Sequence, residues 1–141
     1  MGRLMSPGDA AQFNIQIGNK LTHNVQPILH QIRHALEQLL DDHKTTTIDL
    51  RSIPLAPEEE STILDILGQG EVHARLNALG PSEIIETGCA GVWLVTHFNE
   101  SSHTVSRFIE VTEMPDILKS QHRDIFNGLQ MLNHKLETLA T

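Results

Sequence analysis

The chain has 141 residues, with eighteen acidic against ten basic side chains for a formal charge of −8 with histidine neutral, and a single cysteine. That length suits one domain with a real hydrophobic core, the lone Cys89 leaves no internal disulfide and no site built from several thiolates, and the negative charge repels nucleic-acid phosphates and anionic lipid. The longest clean apolar run, Ala90 to Val95, falls far short of the ~20 residues that span a bilayer, and the N-terminus lacks a signal-peptide apolar core, so the expected compartment is the cytoplasm.

Residues 1–20 mix Gly, Pro, Asn and Gln and are expected to form a mobile arm ahead of a single domain over 21–141. Within the arm, the alternation of Phe13, Ile15 and Ile17 suggests a short strand. Gly2 followed by Ser6 satisfies the loose N-myristoylation pattern, a match short enough for chance to explain. From Gln26 to about Asp42, Ile28, Leu29, Ile32, Leu36, Leu39 and Leu40 recur at three- and four-residue steps behind Pro27, which predicts an amphipathic helix. Thr45 to Leu50 is short and β-branched, a strand at an edge or crossing between layers. Pro57 with Glu58, Glu59 and Glu60 opens a second helix whose acids complement the macrodipole, and Gly68 stops it.

The period then drops to two. In Glu71 to Ala78 the residues Val72, Ala74, Leu76 and Ala78 point one way, as in a half-buried strand, and Gly80 with Pro81 turns the chain. Ser82 to Thr87, Val92 to Phe98 and Thr104 to Val111 read as further strands whose connections are too short for crossover helices, so an antiparallel meander is expected. Pro115 is expected to open a closing helical stretch in which Ile125, Leu129, Leu132, Leu136 and Leu139 alternate four and three residues apart, a spacing that also suits a homodimer seam. The fold class is α+β: a mainly antiparallel sheet of four or slightly more strands, helices packed on one face and a long C-terminal helix. Strand order is not legible.

Few residues stand out chemically. His30 and His34 lie four apart on the first helix with Glu37 following, the spacing of helical metal sites, but they sit on its polar side without the intervening Glu of a zincin, so they are weak metal candidates. Cys89 occupies a Gly-rich turn with no local base or cation to activate it, and His97 lies toward the far end of the next strand, so Cys89 reads as structural. Trp93 shares a strand face with Val95 and His97. Either that strand is buried on both sides, or one side is an open face on which Trp93, His97, Arg75 and Arg107 meet a protein partner, since Trp and Arg are favoured interface anchors. No phosphate loop, nucleophile elbow, kinase signature or paired-carboxylate pattern is present. The sequence therefore nominates no catalytic residue and no cofactor, and binding is expected rather than catalysis.

One set of short motifs falls in a fixed order: Gly70-Glu71-Val72, Leu79-Gly80-Pro81-Ser82-Glu83, Glu86-Thr87, Gly91-Val92-Trp93 and Ile109-Glu110-Val111, continuing through Met114 to Ser120. In this combination the chain, from about Ile53 onward and more weakly in its first helix, resembles the conserved region of the HupH/HyaF family of accessory proteins in nickel–iron hydrogenase maturation. The resemblance implies a factor that binds a hydrogenase subunit precursor, expected to be the iron–sulfur small subunit before export, or other maturation proteins. It implies no catalytic residues. Glu71, Gly80, Pro81, Glu86, Gly91, Trp93 and Glu110 are carried over as signature positions only. The chain departs from longer members in holding one copy of the domain. The competing reading is a metal-handling protein that delivers nickel or iron through His30 and His34.

Overall fold

The computed structural model describes residues 23–78 and 80–140; the expected arm, its short strand and the Gly2/Ser6 pattern lie outside the described residues. Helix α1 spans Val25–Asp42, and His43 ends it in the left-handed conformation (φ 54°), its N–H donating back to the Leu39 carbonyl at 3.1 Å. Strand β1 (Thr46–Asp49) follows, then α2 (Pro57–Leu67). Strands β2 (His73–Leu76), β3 (Ser82–Glu86), β4 (Val92–Phe98) and β5 (Thr104–Val111) come next. A 3-10 turn at Asp116–Leu118 leads into α3 (His122–Ala140).

The sheet has five strands in the order β1-β5-β4-β3-β2, and every neighbouring pair is antiparallel. The meander over β2 to β5 is what its short connections demand. β1 and β2 lie at opposite edges, so the chain between them must cross the whole sheet, and α2 is carried on that crossing. Strand parity divides the side chains. On the helix-bearing face, Ile28, Ile32, Ala35 and Leu39 of α1 and Ile63 of α2 pack on Ile48, Val92, Ile109 and Val111. Each such buried Val or Ile contributes roughly 1.5–3 kcal/mol relative to exposure. On the opposite face Ile84, Trp93 and Val95 form a second cluster with Ala74, Leu76, Phe108 and Leu118.

The three acids that open α2 do not share one environment. Successive helical positions point about 100° apart, and only Glu59 turns inward, where it is 3% exposed. Its carboxylate accepts the Ala56 N–H at 2.9 Å, satisfying a donor at the start of its own helix, and the Asn24 N–H at 3.3 Å, at the start of α1. One buried carboxylate thus ties together the N-terminal ends of both packed helices, where the macrodipoles favour negative charge. α3 is different. None of its residues is buried, and its apolar stripe is exposed along its length.

Candidate partner-binding surface

Register decides which of the nominated residues can act together. Arg75 lies opposite Glu83, Glu83 opposite Thr96, and Thr96 opposite Arg107, a single row across four strands. Trp93 lies opposite Glu86 and Glu110, one residue out of phase with that row, and so on the other face. The four expected partner contacts therefore split in two: Trp93 and His97 on the face away from the helices, Arg75 and Arg107 on the helix-bearing face. The expectation of one open face carrying all four is corrected by this parity.

Trp93 and His97 brace the interior. Trp93 is 5% exposed, and its indole Nε1 donates to the Thr112 carbonyl at 3.1 Å. His97 is half-buried, with Nδ1 at 2.6 Å from Ser82 Oγ and its ring edge-on to Phe108, centroids 5.9 Å apart. β4 is the strand buried on both sides that its sequence allowed.

The arginine row is more open. Arg107 Nη1 donates to Glu60 Oε2 at 2.6 Å and Nε to Thr96 Oγ1 at 3.2 Å, while Arg75 and His73 both approach Glu83, at 3.7 and 3.6 Å. An eleven-residue helix is only about 16 Å long, too short to cover the sheet that α1 leaves free. Between α2, the connection that leads into it from β1, and Arg107 of β5 lies a groove of ≈ 440 Å³. Leu50, Leu55 and Leu64 give it an apolar lining, and Arg51, Glu60 and Arg107 supply charge. On the other flank of α2 a second hollow of ≈ 330 Å³ shares Leu64 and adds Ile85 and Leu94. The groove thus combines apolar ground with charges of both signs at its edge, a mixture that protein-contact surfaces share. Glu60 had no distinct signal in the sequence beyond its place in an acidic run; only the register of Arg107 against α2 singles it out.

The remaining candidates are dispersed. His30 and His34 are exposed on the outer side of α1, and His34 Nδ1 lies 3.7 Å from Glu37. Among the described residues, no three His, Cys, Asp or Glu side chains are grouped to hold a metal ion. Cys89 is half-buried against the core in the turn that Thr87 organises, Thr87 Oγ1 accepting the Cys89 N–H at 3.2 Å and donating toward the Val92 carbonyl at 2.8 Å.

The signature positions mostly shape the backbone. Gly80 (φ +74°) and Gly91 (φ +88°) hold left-handed turns. A Cβ on Gly80 would stand 2.8 Å from the Phe98 carbonyl oxygen, and one on Gly91 3.3 Å from Leu36 in α1. Pro81 accepts the Phe98 N–H at 2.9 Å. Glu86 holds the approach to β2, its side chain accepting the Glu71 N–H at 3.2 Å. Glu110, beside Trp93, has its carboxyl pushed above the usual range by burial, with the nearby Asp116 charge adding to the effect and His97 opposing it.

These features define a small α+β domain with an all-antiparallel meander, two packed helices and an amphipathic groove. Residues 22–139 match the family described as HupH hydrogenase expression protein, C-terminal conserved region, and the chain belongs to that family. Among curated proteins it is 28% identical over 121 residues to the hydrogenase expression/formation protein HoxQ of Azotobacter vinelandii, covering 82% of this chain and 42% of that one. It is 26% identical over 101 residues to the hydrogenase expression/formation protein HupH of Rhizobium leguminosarum bv. viciae, covering 72% and 36%. The chain thus spans less than half the length of these relatives. A solved structure, the hydrogenase expression protein HupH from Thiobacillus denitrificans, superposes with a TM-score of 0.80 at 32% identity, covering 83% of this chain and 98% of that one. Among the described residues, no helix is long and apolar enough to cross a membrane.

Proposed function

We propose that this domain is a non-catalytic accessory factor of hydrogenase maturation that works in the cytoplasm by binding a hydrogenase subunit precursor, the iron–sulfur small subunit, in the groove beside α2. Its relatives are named hydrogenase expression/formation proteins, and the observation that carries the binding site is the groove itself, with the part-exposed Ile53, Leu55 and Leu64 available to apolar side chains of a client and Arg51, Glu60 and Arg107 to its polar groups. An extended segment or loop of an incompletely assembled subunit presents that mixture.

Calorimetry with the small-subunit and large-subunit precursors in parallel tests the client. Micromolar or tighter binding to the small subunit alone is expected; binding to neither sinks the reading. Arg51 and Ser61 are exposed groove residues, so Arg51→Glu and Ser61→Trp obstruct the groove without disturbing the core. Each is expected to weaken binding about tenfold with unchanged unfolding curves, and full affinity in both folded variants would remove the client from the groove.

A further inference from the structure

The groove beside α2 is lined by three charged side chains, and they are not equally occupied. Arg107 is held between two partners, Glu60 at Nη1 and Thr96 at Nε. The Arg107 side chain is 24% exposed and that of Glu60 19%, so the two charges offset one another in a place largely withdrawn from water. Among the described residues the third guanidinium nitrogen, Nη2, has no partner.

Arg51 differs. It is exposed in the connection from β1, and among the described residues its guanidinium makes no hydrogen bond and no ion pair. Asp49, two residues earlier and outside the lining, is engaged elsewhere. Its Oδ2 accepts the Ser52 hydroxyl at 2.7 Å and its Oδ1 the Arg51 backbone N–H at 2.9 Å. These two bonds, the Ser52 hydroxyl first, hold the Asp49 carboxyl below its ordinary value, and the Arg51 charge contributes least. The lining therefore sets two positive charges against one negative, on a chain that carries −8.

That inventory selects among client segments. A lysine or arginine would meet Arg51 and Arg107 as like charges, and its one attractor, Glu60, is already bonded to Arg107. A wholly apolar segment would cover both guanidinium groups and leave their N–H donors without acceptors, which weakens binding. A segment with a carboxylate answers each group in turn, because the planar arginine fork matches a carboxylate. The overall charge of −8 opposes an acidic client at long range, but it is screened beyond about 8 Å at physiological salt.

We infer that the groove selects an acidic–apolar segment of its client. The carboxylate pairs with Arg51, a main-chain carbonyl accepts from Arg107 Nη2, and a neighbouring apolar side chain rests on Ile53, Leu55 and Leu64. The inference rests on the groove being the client's site and adds the chemistry by which the client is recognised. Glu60 then has two effects: it fixes Arg107, and its charge opposes the incoming acid.

Calorimetry with the small-subunit precursor at about 50 and about 300 mM NaCl separates the chemistry from the site. Ser61→Trp reports the site, since it obstructs the groove whatever charge the client carries. Arg51→Gln is expected to weaken binding about fivefold at the lower salt, and Glu60→Gln, which keeps an acceptor for Arg107 but removes the negative charge, to tighten it about threefold. The higher salt is expected to weaken the parent and to shrink both differences. Urea unfolding curves establish that each variant is folded. Should Ser61→Trp weaken binding while Arg51→Gln leaves it unchanged, or Glu60→Gln weakens it, the client lies in the groove but presents no carboxylate there, and this inference alone is overturned. No binding by the parent, or full affinity in folded Ser61→Trp, overturns the site and the inference together.

Discussion

α1 and α3 differ by one residue in length, and each has an apolar stripe along a polar helix, yet α1 buries four residues in the core and α3 buries none. The amphipathic pattern states that a helix must be covered; it does not state by what. The spacing is the same in both: Ile28, Ile32, Ala35 and Leu39 alternate by four and three residues, as Ile125, Leu129, Leu132, Leu136 and Leu139 do. α1 has Ala35, 1% exposed, in its buried row, where a small residue permits close approach to the sheet, with Leu29 and Leu36 packed alongside. The α3 row of Ile125, Leu129, Leu132, Leu136 and Leu139 has no small residue, and Phe126 and Met131 lie exposed outside it.

The largest effect expected from this comparison is a matched pair of truncations. Ile32→Ala in α1 empties a site that is 3% exposed and is expected to cost about 2–4 kcal/mol in urea unfolding. Leu132→Ala in α3, measured at low concentration, is expected to change stability of the body by less than about 0.5 kcal/mol. Equal costs would mean that α3 packs on the body after all, and would break the comparison. A second effect sharpens it at the helix starts. Glu59→Ala removes the buried acceptor that joins the first turns of α1 and α2, and is expected to cost about 2–3 kcal/mol. Glu58→Ala, at an exposed position one residue earlier, should cost no more than about 0.5 kcal/mol; denaturation curves that fail to separate the two would deny Glu59 its tie.

The same contrast marks what the sequence could convey. β4 and β5 match their expected bounds at both ends, because period-two apolar runs bounded by Gly88–Gly91 and Asn99–His103 leave little choice of strand limits. Parity within one strand was legible too: Ala74 and Leu76 share a face, and so do Trp93, Val95 and His97. Parity between strands was not, because it depends on register. Arg75 and Arg107 therefore looked like neighbours of Trp93 until the pairing placed them on the opposite side of the sheet. The start of α3 was displaced for a local reason. Pro115 is followed by a 3-10 turn, and Lys119 is extended (φ −91°, ψ 136°), so the α-helix begins only at His122. The groove was invisible because it depends on how the connection from β1 folds against α2 and on which strand residue, Arg107, the register brings beside them.

Glu110 lies at the border between the two regions, on β5 and close to Asp116 in the turn that leads to α3. Burial and the Asp116 charge disfavour its ionised form, so its carboxyl titrates higher in the folded chain than in the unfolded one. The sign follows from linkage. The folded state binds the proton more tightly, so this group's contribution to stability is complete below the ordinary carboxyl range and is lost as pH rises through the raised folded value. Glu110→Gln cannot ionise and escapes that loss. Its melting temperature should exceed that of the parent by a degree or two at pH 7, and the gap should close as the pH is lowered toward 4, where Glu110 itself is protonated. A gap that stayed constant across that range would trace to packing rather than charge. A parent more stable at pH 7 would show that Glu110 forms a favourable ionic contact at the root of α3, and the boundary between body and helix would then be an electrostatic joint instead of a point of mutual repulsion.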